Sequence, residues 1–338
     1  FDLNCLLLLG IDPGCLSASF PRVPCAEAFD VIEEAVFYRH CVPRWVWKAM
    51  RRLRVGWEGR TIEAEGCLNG FLDEKIRAKV AEKQAADGKE SRDDDDYDLL
   101  MKVIVETERL LGKGEKFVRE TVVGLMVAGR DTIAVALSWF FWLVAKNPGV
   151  EERILEELDR VVITREKQGI VSSVEDLNKM VYLHGAISET LRLYPPVPFE
   201  LKQPLEPDML PSDHFVGKNT RIFVSIYSIG RMKEVWGEDW MEFKPERWVA
   251  DRSEGLKNDD GVEFATFITG PRSCSGKKIA YTQMKSIASC LLHRYKIDVV
   301  DDHPVVPRLS MMMFMRYGLK VRVSCKTPES STTGPLYV

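Results

Sequence analysis

From Phe117 to Lys146 the sequence is apolar on nearly every side, interrupted at its middle by Arg130-Asp131. A helix that is hydrophobic all round is enclosed by other protein or by lipid. Charges at a bilayer centre cost roughly 2.5 to 3.5 kcal/mol each, so the pair argues for a core helix with a polar device halfway along it. The surrounding sequence supplies helices to enclose it. Phe29, Ile32 and Val36 keep helical spacing before Pro43 interrupts, a second helical stretch runs from about Glu63 to Ala86, and Asp12-Pro13-Gly14 reads as a turn. Ile154, Leu155, Leu158 and Val162 form an apolar face opposite Glu151, Glu152, Glu156 and Glu157, and Asn178 to Tyr194 predicts one further helix stopped by Pro195-Pro196. Strand signals are sparse: Phe215-Val216, a Gly217-Lys218-Asn219 turn and Arg221 to Ser225 predict a short hairpin, and Gly318 to Ser324 a late strand. The expected fold class is mainly α with small β-sheets, one domain over 1–338 with a disordered tail over 327–338.

Composition excludes several classes. A net charge of −4 gives no support for nucleic-acid binding, and 45% hydrophobic with 29% charged residues describes an ordinary folded body. The eight cysteines are scattered singly, with no zinc spacing, which predicts a reducing, cytosol-facing compartment. Five isolated histidines, His40, His184, His214, His293 and His303, read as surface or core residues rather than metal ligands. The acidic run Asp93 to Asp96 reads as a solvated loop. The chain opens at Phe1, and Leu6 to Leu9 is far shorter than a membrane span, so truncation at the N-terminus is expected.

The residues richest in chemistry lie late in the chain. Phe267-Ile268-Thr269-Gly270-Pro271-Arg272-Ser273-Cys274-Ser275-Gly276 runs directly into a helical pattern carrying Ala280, Met284, Ile287, Ala288 and Leu291. Cys274 is thereby expected at a helix N-terminus, where the dipole and free N–H groups favour a thiolate. The flanking glycines allow close approach of a flat partner, and Arg272 offers a forked donor to a carboxylate. A lone cysteine is usually a small buried hydrophobe. The pattern F-x-x-G-x-R-x-C-x-G, however, arises by chance in such a chain on the order of one time in 10⁴ or less.

These ten residues resemble the haem-binding loop of the cytochrome P450 family at every defining position. The resemblance implies that fold, lacking here its N-terminal anchor and early helices, and a haem whose iron takes Cys274 as axial thiolate. That thiolate pushes electron density onto the iron and favours O–O cleavage. Phe267 would shield the sulfur, with Gly270, Arg272 and Gly276 completing the cofactor loop. Glu189-Thr190-Leu191-Arg192 is similar to the family's E-x-x-R motif, and Phe243 to Trp248 to the segment supplying a second arginine. Glu189, Arg192 and Arg247 are then expected to form a structural, buried ion-pair cluster. Ala128-Gly129-Arg130-Asp131-Thr132 resembles the oxygen-activation segment. There Ala128 and Gly129 would face the cofactor, and Asp131 and Thr132 would relay protons, with Arg130 as partner to Asp131. Ile133 stands where many relatives carry a second hydroxyl.

The run Gly10 to Ser17, with the texture of Lys179 to Phe199 and Phe243 to Trp248, is similar to the plant group that hydroxylates long alkanes and fatty acids. This implies a monooxygenase using O2 and electrons from NADPH-cytochrome P450 reductase, on the cytosolic face of the endoplasmic reticulum membrane. Its pocket would be apolar, near Phe199 and Ala128. Met311 to Met315 is expected to pack the core, and Lys277 and Lys278 to form a reductase-docking face. Two rivals are a truncated haem-binding remnant without turnover and a peroxide-rearranging relative needing no reductase. The 338-residue chain alone is expected to hold haem poorly.

Overall fold

A computed structural model describes residues 1–86, 99–107, 114–163, 173–250, 264–326 and 336–337. The acidic run 93–96 lies outside them. The chain divides into two compact units, Phe1–Asp131 and Thr132–Val338, within the span read from sequence as one domain.

The regular elements of the first unit are all helices among its described residues. α1 (Asp2–Leu9) closes on Gly10, α2 (Pro24–Cys41) starts with Pro24 in its first turn, and α3 (Arg44–Leu53) follows Pro43. Proline suits these starts because its missing N–H would have no helical partner. α4 (Gly56–Ala86) and α5 (Leu99–Glu106) complete the set before α6 (Glu115–Lys146). Phe29, Leu72, Ile76, Leu100 and Met126 form the centre of this unit's core. The expected turn at 12–14 is present, with the Gly14 amide donating to Asp12 Oδ1 at 2.8 Å.

α6 is the one helix among the described residues long and apolar enough to cross a membrane by length and composition. Of its apolar window 39% is buried within the protein, less than the all-round enclosure its sequence predicts. Val118, Val122 and Met126 enter the first unit's core, and Ile133, Ala136, Phe140 and Val144 the second's.

In the second unit α7 (Pro148–Ile163) buries Ile154 and Leu158 as its periodicity predicts. The single helix expected over 178–194 is two, α8 (Val174–Lys179) and α9 (Val181–Leu193), broken at fully buried Met180. The break exposes amides at the start of α9, and Glu157 accepts from those of Tyr182 and Leu183 at 2.7 and 2.9 Å. Only the fold brings that carboxylate across; local spacing gives no sign of it.

The predicted hairpin over 215–225 is also corrected. β1 (Phe199–Lys202) pairs with β4 (Ile222–Ser225), and β2 (Asp208–Met209) with β3 (Phe215–Val216), both antiparallel. The expected turn does form, the Thr220 amide donating to Gly217 O at 3.1 Å with Asn219 left-handed. It passes the chain from one ribbon to the next instead of folding it back. Short helices α10 (Ile226–Ile229) and α11 (Lys233–Trp236) follow, then a 3₁₀ turn over Pro245–Trp248. That turn lies so close to α9 that a Cβ on Gly185 would stand 2.8 Å from Pro245 O.

α12 (Lys277–Arg294) runs directly into β5 (Tyr295–Val299), which pairs antiparallel with β6 (Val321–Cys325), itself paired with β7 (Leu336–Tyr337). The late strand is therefore present, and residues 336–337 of the expected disordered tail are a strand. The rest of that tail lies outside the described residues. Met312, Met313 and Met315 are buried, and Trp139 donates its indole N–H to Met313 O at 2.7 Å.

Truncating the fully buried Leu158 to alanine is expected to cost about 2–5 kcal/mol of the second unit's stability. Chemical denaturation followed by tryptophan fluorescence measures this loss.

Candidate functional site

A dense polar cluster of the second unit surrounds Glu189 on α9. Its side chain and that of Arg192 are both 0% exposed. Arg192 lies one helical turn on and donates Nε to Oε2 at 2.8 Å and Nη2 to Oε1 at 2.7 Å, a forked pair. Three further donors converge on the same carboxylate: Arg247 Nε at 3.2 Å, the Lys244 amide at 3.1 Å and Trp248 Nε1 at 2.9 Å. Arg247 Nη2 also pairs with the Asp239 carboxylate at 2.5 Å, and other guanidinium donors go to carbonyls. Arg192 reaches Trp240 O and Glu242 O, and Arg247 reaches Trp236 O, at 2.8, 3.1 and 2.8 Å. The residues Glu189, Arg192 and Arg247 singled out from sequence are thus brought together. Lys244 and Trp248 join them, and sequence reasoning did not assign either a role.

An aromatic chain leads from this cluster to the cysteine loop. Trp248, whose indole binds Glu189, meets Phe264 edge-on at 4.6 Å between ring centroids. Phe264 lies 6.2 Å from Phe267, which in turn lies 5.5 Å from Tyr281 of α12. Tyr281 is held by a hydroxyl contact to Ser188 at 2.8 Å, beside Glu189 in the chain. Thr266 adds a hydroxyl bond to Leu191 O at 3.1 Å. Both α9 and α12 therefore grip the loop.

The loop itself closes on its own backbone. The Cys274 amide donates to Phe267 O at 2.8 Å and that of Ser273 to Gly270 O at 2.9 Å, and α12 begins three residues past the cysteine. Cys274 is exposed and borders a recess of about 270 Å³ lined by Phe264, Phe267, Thr269, Gly270 and Lys277, among others. Gly270 sits at φ +83°, a conformation L side chains rarely adopt, and a Cβ there would meet nothing within 4 Å. Arg272 and Gly276 flank the sulfur, Arg272 exposed and Gly276 half-buried. Lys277 carries its ammonium 5.7 Å over the Phe267 ring.

With this geometry in place, comparison with known proteins decides the family: residues 28–323 match the profile described as Cytochrome P450. The chain belongs to the cytochrome P450 family. It is similar to Cytochrome P450 86B1 of Arabidopsis thaliana, 39% identical over 96% of this chain and 58% of that protein. Alkane hydroxylase MAH1 of the same plant is 38% identical over 96% of this chain and 64% of that protein. Noroxomaritidine synthase 2 of Narcissus aff. pseudonarcissus MK-2014 is 35% identical over 96% and 62%. The chain therefore spans less than two thirds of the length of these relatives.

Cytochrome P450 proteins use haem with thiolate ligation. The residues present fit that group: an accessible thiol, an aromatic wall at Phe267 and a side kept clear at Gly270. Cys274 would hold the iron, and Arg272 is the nearest guanidinium in sequence for an acidic edge of the porphyrin.

The first unit carries the other segment singled out from sequence. Asp131 is buried and accepts from Arg130 Nη1 at 3.4 Å, as expected, while Arg130 Nη2 also pairs with Asp30 at 2.7 Å. Ala128 is exposed. Where a Cβ on Gly129 would stand, Asn4 Oδ1 lies 3.0 Å away, so that space is taken by Asn4. Thr132, half-buried, opens the second unit.

Replacing Arg192 with alanine would leave the Glu189 carboxylate buried beside a lost forked partner. The expected cost is about 3–5 kcal/mol, with loss of soluble protein. Denaturation and expression yield measure it, and the exposed ion pair Arg22–Glu27, changed to alanine, serves as a control with little effect.

Proposed function

We propose that the protein is a haem-dependent monooxygenase that hydroxylates long aliphatic chains, alkanes or fatty acids, with O2 and electrons from NADPH-cytochrome P450 reductase. The observation that carries the reading is the accessible Cys274 thiol, set at the start of α12 and bordered by the Phe267 wall and the clear side at Gly270. When bound there, the haem supplies electron-rich iron chemistry able to cleave dioxygen and attack an unactivated C–H bond.

Each residue group has its own part. The loop bond from the Cys274 amide to Phe267 O fixes the backbone that carries the sulfur, and Phe267 lines the recess beside it. The Glu189, Arg192 and Arg247 cluster holds the aromatic chain that holds the loop. Asp131 and Thr132 handle protons. Phe199, exposed on β1, contributes to an apolar substrate wall. An aliphatic substrate is supported by the similarity to a protein named alkane hydroxylase, and endoplasmic reticulum membrane placement, cytosolic face outward, accords with such a substrate's solubility.

Cys274→Ala in the haem-loaded protein is expected to abolish the thiolate-type ferrous-CO absorption band and all product. A retained band would refute the assignment, and assays of alkanes and fatty acids side by side with reductase fix the substrate class. Exposed Lys278, next to the half-buried Lys277, is assigned to reductase docking. Lys278→Glu is expected to slow stopped-flow haem reduction about tenfold at low salt while leaving the CO band intact.

A further inference from the structure

We propose that Glu33 and Asp131 hold one proton between them, and that Glu33 is the positioning residue that supplies it to Asp131. The inference deepens the monooxygenase reading, since Asp131 is the proton-handling group of that reading. Glu33 stands on α2, one turn past Phe29, whose buried ring underlies the Arg130 guanidinium at 5.7 Å. That guanidinium bridges Asp30 at 2.7 Å and Asp131 at 3.4 Å. Glu33 Oε1 is buried and meets no N–H or O–H donor among the described residues. The Glu33 carboxyl instead lies within hydrogen-bonding reach of the Asp131 carboxyl.

Two ionised carboxylates cannot bond through lone pairs, and in a buried site they repel. One proton resolves both problems, converting a repulsive contact into an O–H···O⁻ bond. The charged groups facing Glu33 are Asp131, Arg130 and Asp30. Fully ionised, three carboxylates with Glu33 included would oppose one guanidinium; a proton on Glu33 reduces the imbalance. Burial, followed by the Asp131 contact, accordingly pushes the Glu33 carboxyl up to about 8. A group titrating there is protonated at neutral pH yet gives its proton up readily. In the transfer, the Glu33 O–H bond breaks as an Asp131 O–H bond forms. Water then returns a proton to Glu33 beside Asp30, whose side chain is 66% exposed. A purely structural hydrogen bond would be served equally by an amide, which cannot release a proton in this way.

Infrared titration of the chain tests the shared proton without any cofactor. A protonated-carboxyl band present at neutral pH is expected to vanish with a midpoint near about 8, to be missing in Glu33→Gln and to shift in Asp131→Asn. Stability follows the same sign: the raised folded pKa makes wild type lose stability as pH rises from 4.5 toward about 8, and Glu33→Gln removes that slope. In the haem-loaded, reductase-supported protein, Glu33→Gln is expected to lower product per NADPH several-fold and raise peroxide release. Its substrate-binding spectral shift stays unchanged, and Glu33→Asp recovers part of the coupling. A carboxyl band indifferent to Glu33→Gln, or unchanged coupling in that variant, overturns the proposal. Absence of a thiolate CO band in wild type would instead overturn the monooxygenase reading, which the infrared and stability readouts do not depend on.

Discussion

The second unit is organised around one carboxylate removed completely from water. Isolated, a buried Glu189 would carry a desolvation penalty of several kcal/mol, and it is tolerable only because five donors reach it from Arg192, Lys244, Arg247 and Trp248. Those donors come from α9 and from the segment over 244–248, distant in sequence, so satisfying the charge forces those segments together. The same contact seats Trp248, and through Phe264 and Phe267 the packing continues to the cysteine loop. A buried ion pair of this kind adds little net stability over an apolar substitute, but it tolerates few alternative arrangements. Its effect is on where the loop sits more than on how firmly the unit is folded.

Much of this was legible in the sequence wherever residue types and spacing carry the chemistry together. Five fixed positions between Phe267 and Gly276, with a helical pattern beyond, identified the loop and its cysteine. The i, i+3 spacing of Glu189 and Arg192 put them on one helix face. The apolar run from Phe117 to Lys146 marked the helix found over Glu115–Lys146. What the sequence hid were partners supplied by tertiary contact. Glu157 capping α9 lies some 25 residues upstream of the amides it serves, and nothing local marks it. The ribbons β1–β4 and β2–β3 were misread because a turn signal at 217–219 names a bend and not a pairing, while Phe199-Glu200-Leu201-Lys202 shows too short an alternation to stand out. Glu33 escaped notice for a related reason: on α2 it looks like one more acid beside Glu34, and only its burial against Asp131 distinguishes it.

The two polar devices solve opposite problems. Around Glu189 five donors meet one carboxylate, which holds it in a single place. Around Asp131 donors are too few: one guanidinium serves Asp30 and Asp131, and Glu33 Oε1 has no donor among the described residues. Saturation gives rigidity, while a deficit of donors leaves a proton whose location responds to its surroundings. The chemistry assigned to each follows from that difference in supply.

α12 begins three residues after the sulfur and passes without a linker into β5, where Lys296 binds Glu151 of α7 at 2.6 Å. Both ends of this helix are thus tethered, so its length is a fixed dimension. Each residue added or removed would turn one end by about 100° against the other and shift it by about 1.5 Å. Over evolutionary time such a helix can exchange side chains freely on its outer face but can absorb no insertion or deletion. Length variation among homologues would then have to accumulate in the connecting loops, with the span from Cys274 to Val299 kept constant.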